Sequence, residues 1–376
     1  MKMKAAVLTR CGAPRPFARS KPIEVLEVDL DPPGEGEVLV KVGGAGLCHS
    51  DLSMVNGDRP RPTPIVLGHE GSGEIVEVGA GVHDVKAGDH ICFTFNVSCG
   101  RCRRCLEGRP YICERAITPR AAGQLLSGHH RLHLDGKPVN HQSGVSCFAE
   151  YAVVDRGSVV VIDSSLPLDL AALFGCAVVT GVGAVVNTAQ IQPGSSVAVV
   201  GLGGVGLSGL LGAVLAGAGK IVAIDLSDEK LGLARQLGAT DTVNARDADH
   251  VQQVRDLTGG GVDYAFDFAG TIKAMETAYL ATRWGGTTVS AGLSPITADF
   301  SFKQSLLVSE EKTIKGSYMG SCVPVRDIPR FISLYQQGRL PVDRMVSQRV
   351  GFAELNEGFD RLQEVATVRQ VLVPHG

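Results

Sequence analysis

A chain of 376 residues is longer than one hydrophobic core ordinarily serves, so two domains are expected. Hydrophobic residues at 44% and charged residues at 20% describe a folded globular protein and exclude a disordered or fibrous one. A formal net charge of −3 gives no electrostatic reason for a nucleic-acid or membrane-surface partner, and ten cysteines in a chain expected in the cytoplasm point away from disulfides.

The N-terminus, Met1 to Leu8, reads as the start of a strand and lacks the apolar stretch and cleavage site of a secretory signal. Residues 4–90 read as β-rich. Glu37-Val-Leu-Val-Lys-Val42 and Gly73-Glu-Ile-Val-Glu-Val78 alternate apolar and polar residues, as half-buried antiparallel strands do. Turn clusters at Pro32-Pro33-Gly34, Gly79-Ala-Gly81 and Ala87-Gly88-Asp89 punctuate them. Residues 99–145 hold a cysteine cluster and a polar, histidine-bearing stretch and are expected to be loop; strand character returns over 146–163.

From about residue 178 the pattern changes. A short buried strand at Val197–Gly201 leads into an Ala/Leu/Gly helix, the strand Ile221–Asp225 and the helix Asp228–Leu237; strands follow near Thr242 and at Val262–Phe266. This alternation, running to about Gly316, predicts a parallel sheet with crossover helices. The stretch Ser196–Gly219 is uncharged and long enough to cross a bilayer, but its grouped glycines fit strand–turn–helix better. The C-terminal part predicts helices at Asp327–Gln337 and Phe352–Glu364 and a last strand at Arg369–Val373.

Three sets of residues carry chemistry. Gly201-Leu-Gly203-Gly204-Val205-Gly206 fits G-x-G-x-x-G, follows a strand, opens a helix, and is followed at the end of the next strand by Asp225. Gly201 allows the tight turn, Gly203 lets the backbone approach a pyrophosphate at the helix N-terminus, and Gly206 lets helix and strand pack closely. Asp225 accepts from two ribose hydroxyls and repels a 2′-phosphate, which favours NAD over NADP. Cys99, Cys102, Cys105 and Cys113 form C-x2-C-x2-C-x7-C, the density of a closed zinc–tetrathiolate site; an iron–sulfur cluster or four unrelated buried thiols are the alternatives. Arg101, Arg103, Arg104 and Arg109 between them are expected to lower the thiol pKa values. Cys48, His69 and Cys176 are dispersed, and each alone is bland. Together with a nicotinamide site they match a catalytic zinc with three protein ligands and an open fourth position.

These pieces resemble the zinc-containing alcohol dehydrogenases of the medium-chain dehydrogenase/reductase superfamily, in the branch that holds the animal and plant enzymes, over essentially the whole chain. The matching residues are Cys48-His-Ser-Asp51, Gly68-His-Glu-Gly71, the four-cysteine lobe, Gly175-Cys176 with Thr180-Gly181, the Gly201–Gly206 turn with Asp225, and Arg369. The resemblance implies an α/β fold. A GroES-like β-rich catalytic domain would be built from residues 1–177 and 321–376, with a structural zinc lobe near 96–115. A Rossmann domain, a doubly wound parallel sheet, would be inserted at 178–320.

It implies Cys48, His69 and Cys176 as catalytic zinc ligands, Asp51 orienting His69, Glu70 behind the metal and Ser50 taking the alcohol proton. His49 and Arg369 would meet the cofactor pyrophosphate, Lys230 the adenosine ribose and Thr180 the nicotinamide ribose. Phe268 and Leu293 are further cofactor-binding positions, Leu293 also matching the substrate channel with Phe95, Phe148 and Tyr318; Arg59 falls at another pocket position. The implied activity is reversible oxidation of alcohols, primary and aliphatic to aromatic or terpenoid, to aldehydes or ketones. The hydride would pass to NAD in a cytoplasmic homodimer with two zinc ions per chain and no nucleic-acid or membrane partner. Three departures stand out. Ser53 replaces a relay histidine, His49 replaces an arginine, and Ile117 stands where glutathione-dependent formaldehyde dehydrogenases place an arginine, which argues against a glutathione adduct as substrate.

Overall fold

Alternating apolar residues at the N-terminus produce the first sheet contacts. Lys2–Leu8 runs antiparallel to Ile23–Leu30, in register from Lys2 opposite Asp29 to Leu8 opposite Ile23. The structure, a computed structural model, describes residues 1–362 and 368–376; the last two residues of the helix expected at Phe352–Glu364 lie outside them. Within the described part that helix is a 3-10 turn at Phe352–Glu354 followed by Leu355–Arg361.

The chain divides into two units. The first comprises Met1–Cys176, Val323–Ile332 and Val346–Gly376, and the second Ala177–Cys322 and Ser333–Met345. In the first, the N-terminal pair joins Leu132–Leu134, Lys137–His141 and Ile65–Val66 in a closed barrel. A second, seven-stranded sheet is organised around the long strand Glu37–Leu47, which pairs with Gly71–Val78, Tyr151–Asp155 and Arg369–Leu372. The expected C-terminal strand thus lies against Ala45, Gly46 and Leu47.

The expectation of loop over 99–145 is corrected. Short helices form at Arg103–Leu106 and Ile117–Ala121, and a hairpin pairs Leu132–Leu134 with Lys137–His141. Its two-residue turn is Asp135-Gly136, with φ of 50° and 73°. A tight hairpin turn of this kind needs left-handed backbone at both positions, and Asp-Gly supplies it. The strand Val346–Val350 was also not anticipated, because Ser347, Gln348 and Arg349 face solvent and break the apolar pattern.

The second unit carries a six-stranded parallel sheet in the order Asp241–Asn244, Lys220–Asp225, Ser196–Val200, Val262–Asp267, Thr282–Ser290, Thr313–Gly316. In sequence rank this is 3-2-1-4-5-6, the order of dinucleotide-binding sheets. The uncharged stretch Ser196–Gly219 resolves into the strand Ser196–Val200 and the helix Gly204–Leu215. Among the described residues no single helix is long and apolar enough to cross a membrane.

The expected boundary at 321 needs one correction: Ser333–Met345 groups with the second unit. There Leu340 and Val342 are fully buried, the Ser208 hydroxyl lies 3.9 Å from Met345 Sδ, and Arg344 donates to the Gln236 carbonyl at 3.3 Å.

Candidate active site and metal centres

Cys48 ends the long central strand in extended backbone and caps the short helix His49–Val55. The cap is reciprocal: Asp51, at the third helical position, accepts the Cys48 N–H through Oδ2 at 3.0 Å. This turns the other carboxylate oxygen toward His69, whose Nδ1–H donates to Asp51 Oδ1 at 2.7 Å, leaving the lone pair of Nε2 directed toward Cys176. His69 is aimed by the residue before it. Gly68 has φ +96°, and a Cβ there would collide with the backbone N of Phe148, so only glycine brings the loop this close. Cys176 follows the buried 3-10 turn Ala172–Gly175.

Cys48, His69 and Cys176 are all buried, and their ligand atoms lie within 4.8 Å of one another. Ligands about 2.0–2.3 Å from a tetrahedral zinc stand roughly 3.5–3.8 Å apart. Cys176 Sγ is 3.6 Å from His69 Nε2. A hydrogen bond from Cys176, opposed by burial and aided by the charge of Arg369, holds the Cys48 thiol well below its usual pKa. Two thiols and an imidazole so arranged, one of them stabilised as thiolate, fit zinc with a position left over. Phe95 stands edge-on to the His69 ring, centroids 5.9 Å apart.

Glu70 and Arg369 form a buried ion pair beside this cluster, Arg369 Nη2 to Glu70 Oε2 at 2.7 Å, while Arg369 Nη1 donates to the Leu47 carbonyl at 3.0 Å. Gly46 makes room for it, since a Cβ there would meet Glu70 Oε1 at 2.7 Å. Burial pushes the Glu70 carboxyl up to about 8, and the Arg369 charge pulls the other way. Glu70 Oε1 and Arg369 Nε find no hydrogen-bond partner among the described residues.

The four lobe cysteines also lie within 4.8 Å of one another, with Cys102 Sγ 3.5 Å from Cys105 Sγ and 3.9 Å from Cys113 Sγ. Sulfurs at about 2.3 Å from one tetrahedral zinc are about 3.8 Å apart, so the lobe fits a closed site. The expected source of thiol acidity is corrected. Arg103 and Arg104 pair with Glu107, and Arg109 bonds Tyr111. Backbone amides, the Cys105 amide foremost, instead bring Cys102 down to about 6.

In the second unit the glycine turn has the expected local physics. Gly201 has φ +89°, and a Cβ on Gly206 would strike the Gly201 carbonyl. At Gly203 a Cβ would meet nothing within 4 Å, so no protein contact requires glycine there. An external group approaching the backbone would require it. Gly204 and Val205 open the helix Gly204–Leu215. Asp225, at its strand end, is held beside the turn by the amides of Leu202 at 2.7 Å and Ser227 at 3.0 Å. Lys230 lies on the helix Asp228–Gln236, its amide capped by Ser227.

The remaining expected residues divide. Thr180 is buried, with Oγ1 unpartnered among the described residues. Leu293 is half exposed, its backbone packed against Gly270. Phe268 stacks on Phe266 at 5.7 Å and touches Gly209, so its ring serves packing within the sheet–helix layer. Tyr318 precedes the 3-10 turn Met319–Ser321. Phe148, expected at the substrate channel, is fully buried in the first unit's core, with its ring 6.2 Å from that of Phe359. His49 is exposed at the start of its helix, next to half-buried Ser50, and Arg59 is half buried. The Ser53 hydroxyl donates to the Ser50 carbonyl at 2.9 Å, so its proton is already committed.

Gln142, which no motif singles out, is buried between Gly68 and Asp51. It sits in the polar stretch read as loop, and only the fold reveals its partners.

Residues 34–164 match the model of the alcohol dehydrogenase GroES-like domain, and residues 204–337 that of the zinc-binding dehydrogenases. The chain is 40% identical to the putative alcohol dehydrogenase D of Mycobacterium tuberculosis, covering 99% of this chain and 100% of that one. It is 37% identical, with the same coverage, to the S-(hydroxymethyl)glutathione dehydrogenase of Synechocystis. The crystal structure of benzyl alcohol dehydrogenase from Acinetobacter calcoaceticus superposes with a TM-score of 0.92 at 32% identity, covering 100% of this chain and 99% of that one. With its converging Cys/His clusters and glycine turn, the chain belongs to the zinc-dependent alcohol dehydrogenases of the medium-chain dehydrogenase/reductase superfamily, enzymes built from a GroES-like domain and a parallel-sheet Rossmann-like domain.

Proposed function

We propose that this enzyme oxidises primary alcohols reversibly with NAD, at a zinc held by Cys48, His69 and Cys176. The observation that carries the reading is the meeting of these three side chains, far apart in sequence, at tetrahedral spacing and beside Phe95. A zinc bound there supplies a Lewis acid that lowers the pKa of an alcohol oxygen. The protein does the rest. Asp51 fixes the His69 tautomer by accepting from Nδ1, and Arg369 holds Glu70 aside through the buried pair. Ser50, on the helix that follows Cys48, receives the proton of the alcohol. The Gly201–Gly206 turn cradles the pyrophosphate of the dinucleotide, and Asp225 accepts from its adenosine ribose, so that hydride transfer is a matter of orientation. The four-cysteine lobe binds a second zinc with no open position and stabilises its loop.

Two features bear on specificity. A carboxylate at 225 disfavours a 2′-phosphate. Ile117, exposed and apolar, offers no cation to a glutathione carboxylate, which separates this chain's substrate from that named for the Synechocystis relative. The test is a panel of aliphatic, aromatic and terpenoid primary alcohols, secondary alcohols and S-(hydroxymethyl)glutathione, each with NAD and NADP, followed by reduced-cofactor absorbance. Turnover of apolar primary alcohols with NAD is expected. A clear preference for S-(hydroxymethyl)glutathione or for NADP would overturn the corresponding half of the reading.

A further inference from the structure

The side chain of Gln142 joins the two segments that present His69. It is 1% exposed. Its Oε1 accepts the backbone N–H of Gly68, the residue before His69, at 2.6 Å. Its Nε2 donates to Asp51 Oδ1 at 2.6 Å, the same oxygen that accepts from His69 Nδ1–H at 2.7 Å. The partners dictate the amide orientation. Flipped, Oε1 would face a carboxylate and Nε2 would face an N–H, and both contacts would be repulsive. The side chain is itself held in place. The Gln142 amide donates to Ser146 Oγ at 2.9 Å, Ser146 Oγ donates to the Val66 carbonyl at 2.8 Å, and the Cys147 amide donates to the Gly68 carbonyl at 3.0 Å.

Asp51 therefore receives three donors, from Cys48 N, His69 Nδ1 and Gln142 Nε2. The first two belong to residues read above as zinc ligands. The third is the only one of the three contributed by a residue outside that ligand set. Without it, Oδ1 would keep His69 as its single partner, and the carboxylate would be held only by the Cys48 amide and the very ring it has to orient. The amide of Gly68 would also be left buried and unpaired, which costs free energy.

We propose that Gln142 is a positioning residue for the catalytic metal centre: it locks Asp51, and through Asp51 the ring plane of His69, into the pose that binds zinc. The proposal rests on the reading of Cys48, His69 and Cys176 as zinc ligands. Outer-shell partners of zinc-bound histidines typically govern metal affinity by about 10–100-fold.

The test uses zinc-loaded enzyme and two variants. Gln142→Met keeps the volume and removes both hydrogen bonds. Gln142→Glu keeps an acceptor for Gly68 and replaces the donor facing Asp51. Zinc release to a chromogenic chelator is followed with the four-cysteine lobe as internal reference, together with the visible spectrum of cobalt exchanged into the Cys48–His69–Cys176 site. Both variants are expected to release the catalytic zinc at least about tenfold faster than wild type, leave lobe zinc unchanged and shift the cobalt bands. If Gln142→Met fails to fold, seen as loss of lobe zinc as well, Gln142→Glu carries the measurement. Release and cobalt spectra like wild type in a folded variant, with only a lowered melting temperature, would overturn the proposal and leave Gln142 a packing residue. A wild-type enzyme that binds only the lobe zinc would instead overturn the assignment of the catalytic ligands.

Discussion

His141 makes the barrel acid-sensitive. It is 2% exposed on the strand Lys137–His141, and its Nε2 accepts the Arg131 amide at 3.1 Å, so the neutral ring is the form the fold holds. Nδ1 has no partner among the described residues to stabilise a charge. Burial, joined by the charges of His130, Arg131 and His133, pushes the imidazole from its usual 6.5 down to about 3. Between these values the unfolded chain binds a proton that the folded chain refuses, so stability rises with pH and is lost as pH falls from 6.5 toward 3. The slope is about 1.4 kcal/mol per pH unit, or roughly 2 kcal/mol between pH 6.5 and 5. That is a sizeable share of an ordinary domain stability of about 5–15 kcal/mol. His141→Gln keeps an acceptor for Arg131 and cannot titrate. Urea unfolding of both proteins at pH 7.5, 6.5 and 5, at fixed zinc, should show wild type losing about 2 kcal/mol more than the variant over the lower interval. Parallel pH dependence in the two proteins would refute the argument.

Asp225→Gly should raise the NADP/NAD ratio of kcat/KM by at least about tenfold, roughly 1.4 kcal/mol, and an unchanged ratio would remove Asp225 from coenzyme selection. Cys102→Ser should lower zinc from two ions per chain to about one and lower the melting temperature, because a closed site contributes folding energy. A soluble Cys102→Ser protein that keeps both ions and its melting temperature would sink the structural-zinc assignment.

What the sequence made legible was local chemistry. The glycine spacing at 201–206 with Asp225 announced a strand–turn–helix, because the positive φ of Gly201 and the close approach of Gly206 to the Gly201 carbonyl are demands set within the turn itself. The four lobe cysteines fall within one short stretch, so their convergence needed no tertiary information. Cys48, His69 and Cys176 were readable only in combination with the nicotinamide site and through resemblance, since Gly68, the capping turn at Cys48 and the buried turn before Cys176 act together to gather them. The hairpin at Asp135-Gly136 was missed, because its turn signal sits among polar residues that hide the alternation of its short strands. The packing of Phe148 against Phe359 was not legible, because an aromatic residue near a site motif does not declare which way its ring points. Gln142 carries no signal in one dimension: its amide matters only because residues 142, 68 and 51 meet in space.

The central claim is that one zinc, held by Cys48, His69 and Cys176, activates the alcohol while the dinucleotide is held elsewhere in the chain. The most direct measurement pairs alcohol oxidation with NADH binding, read by fluorescence, in His69→Ala. The account predicts that turnover is lost and that NADH affinity stays within a few-fold of wild type, because the Gly201–Gly206 turn and Asp225 are untouched. Near-native turnover in His69→Ala would contradict it.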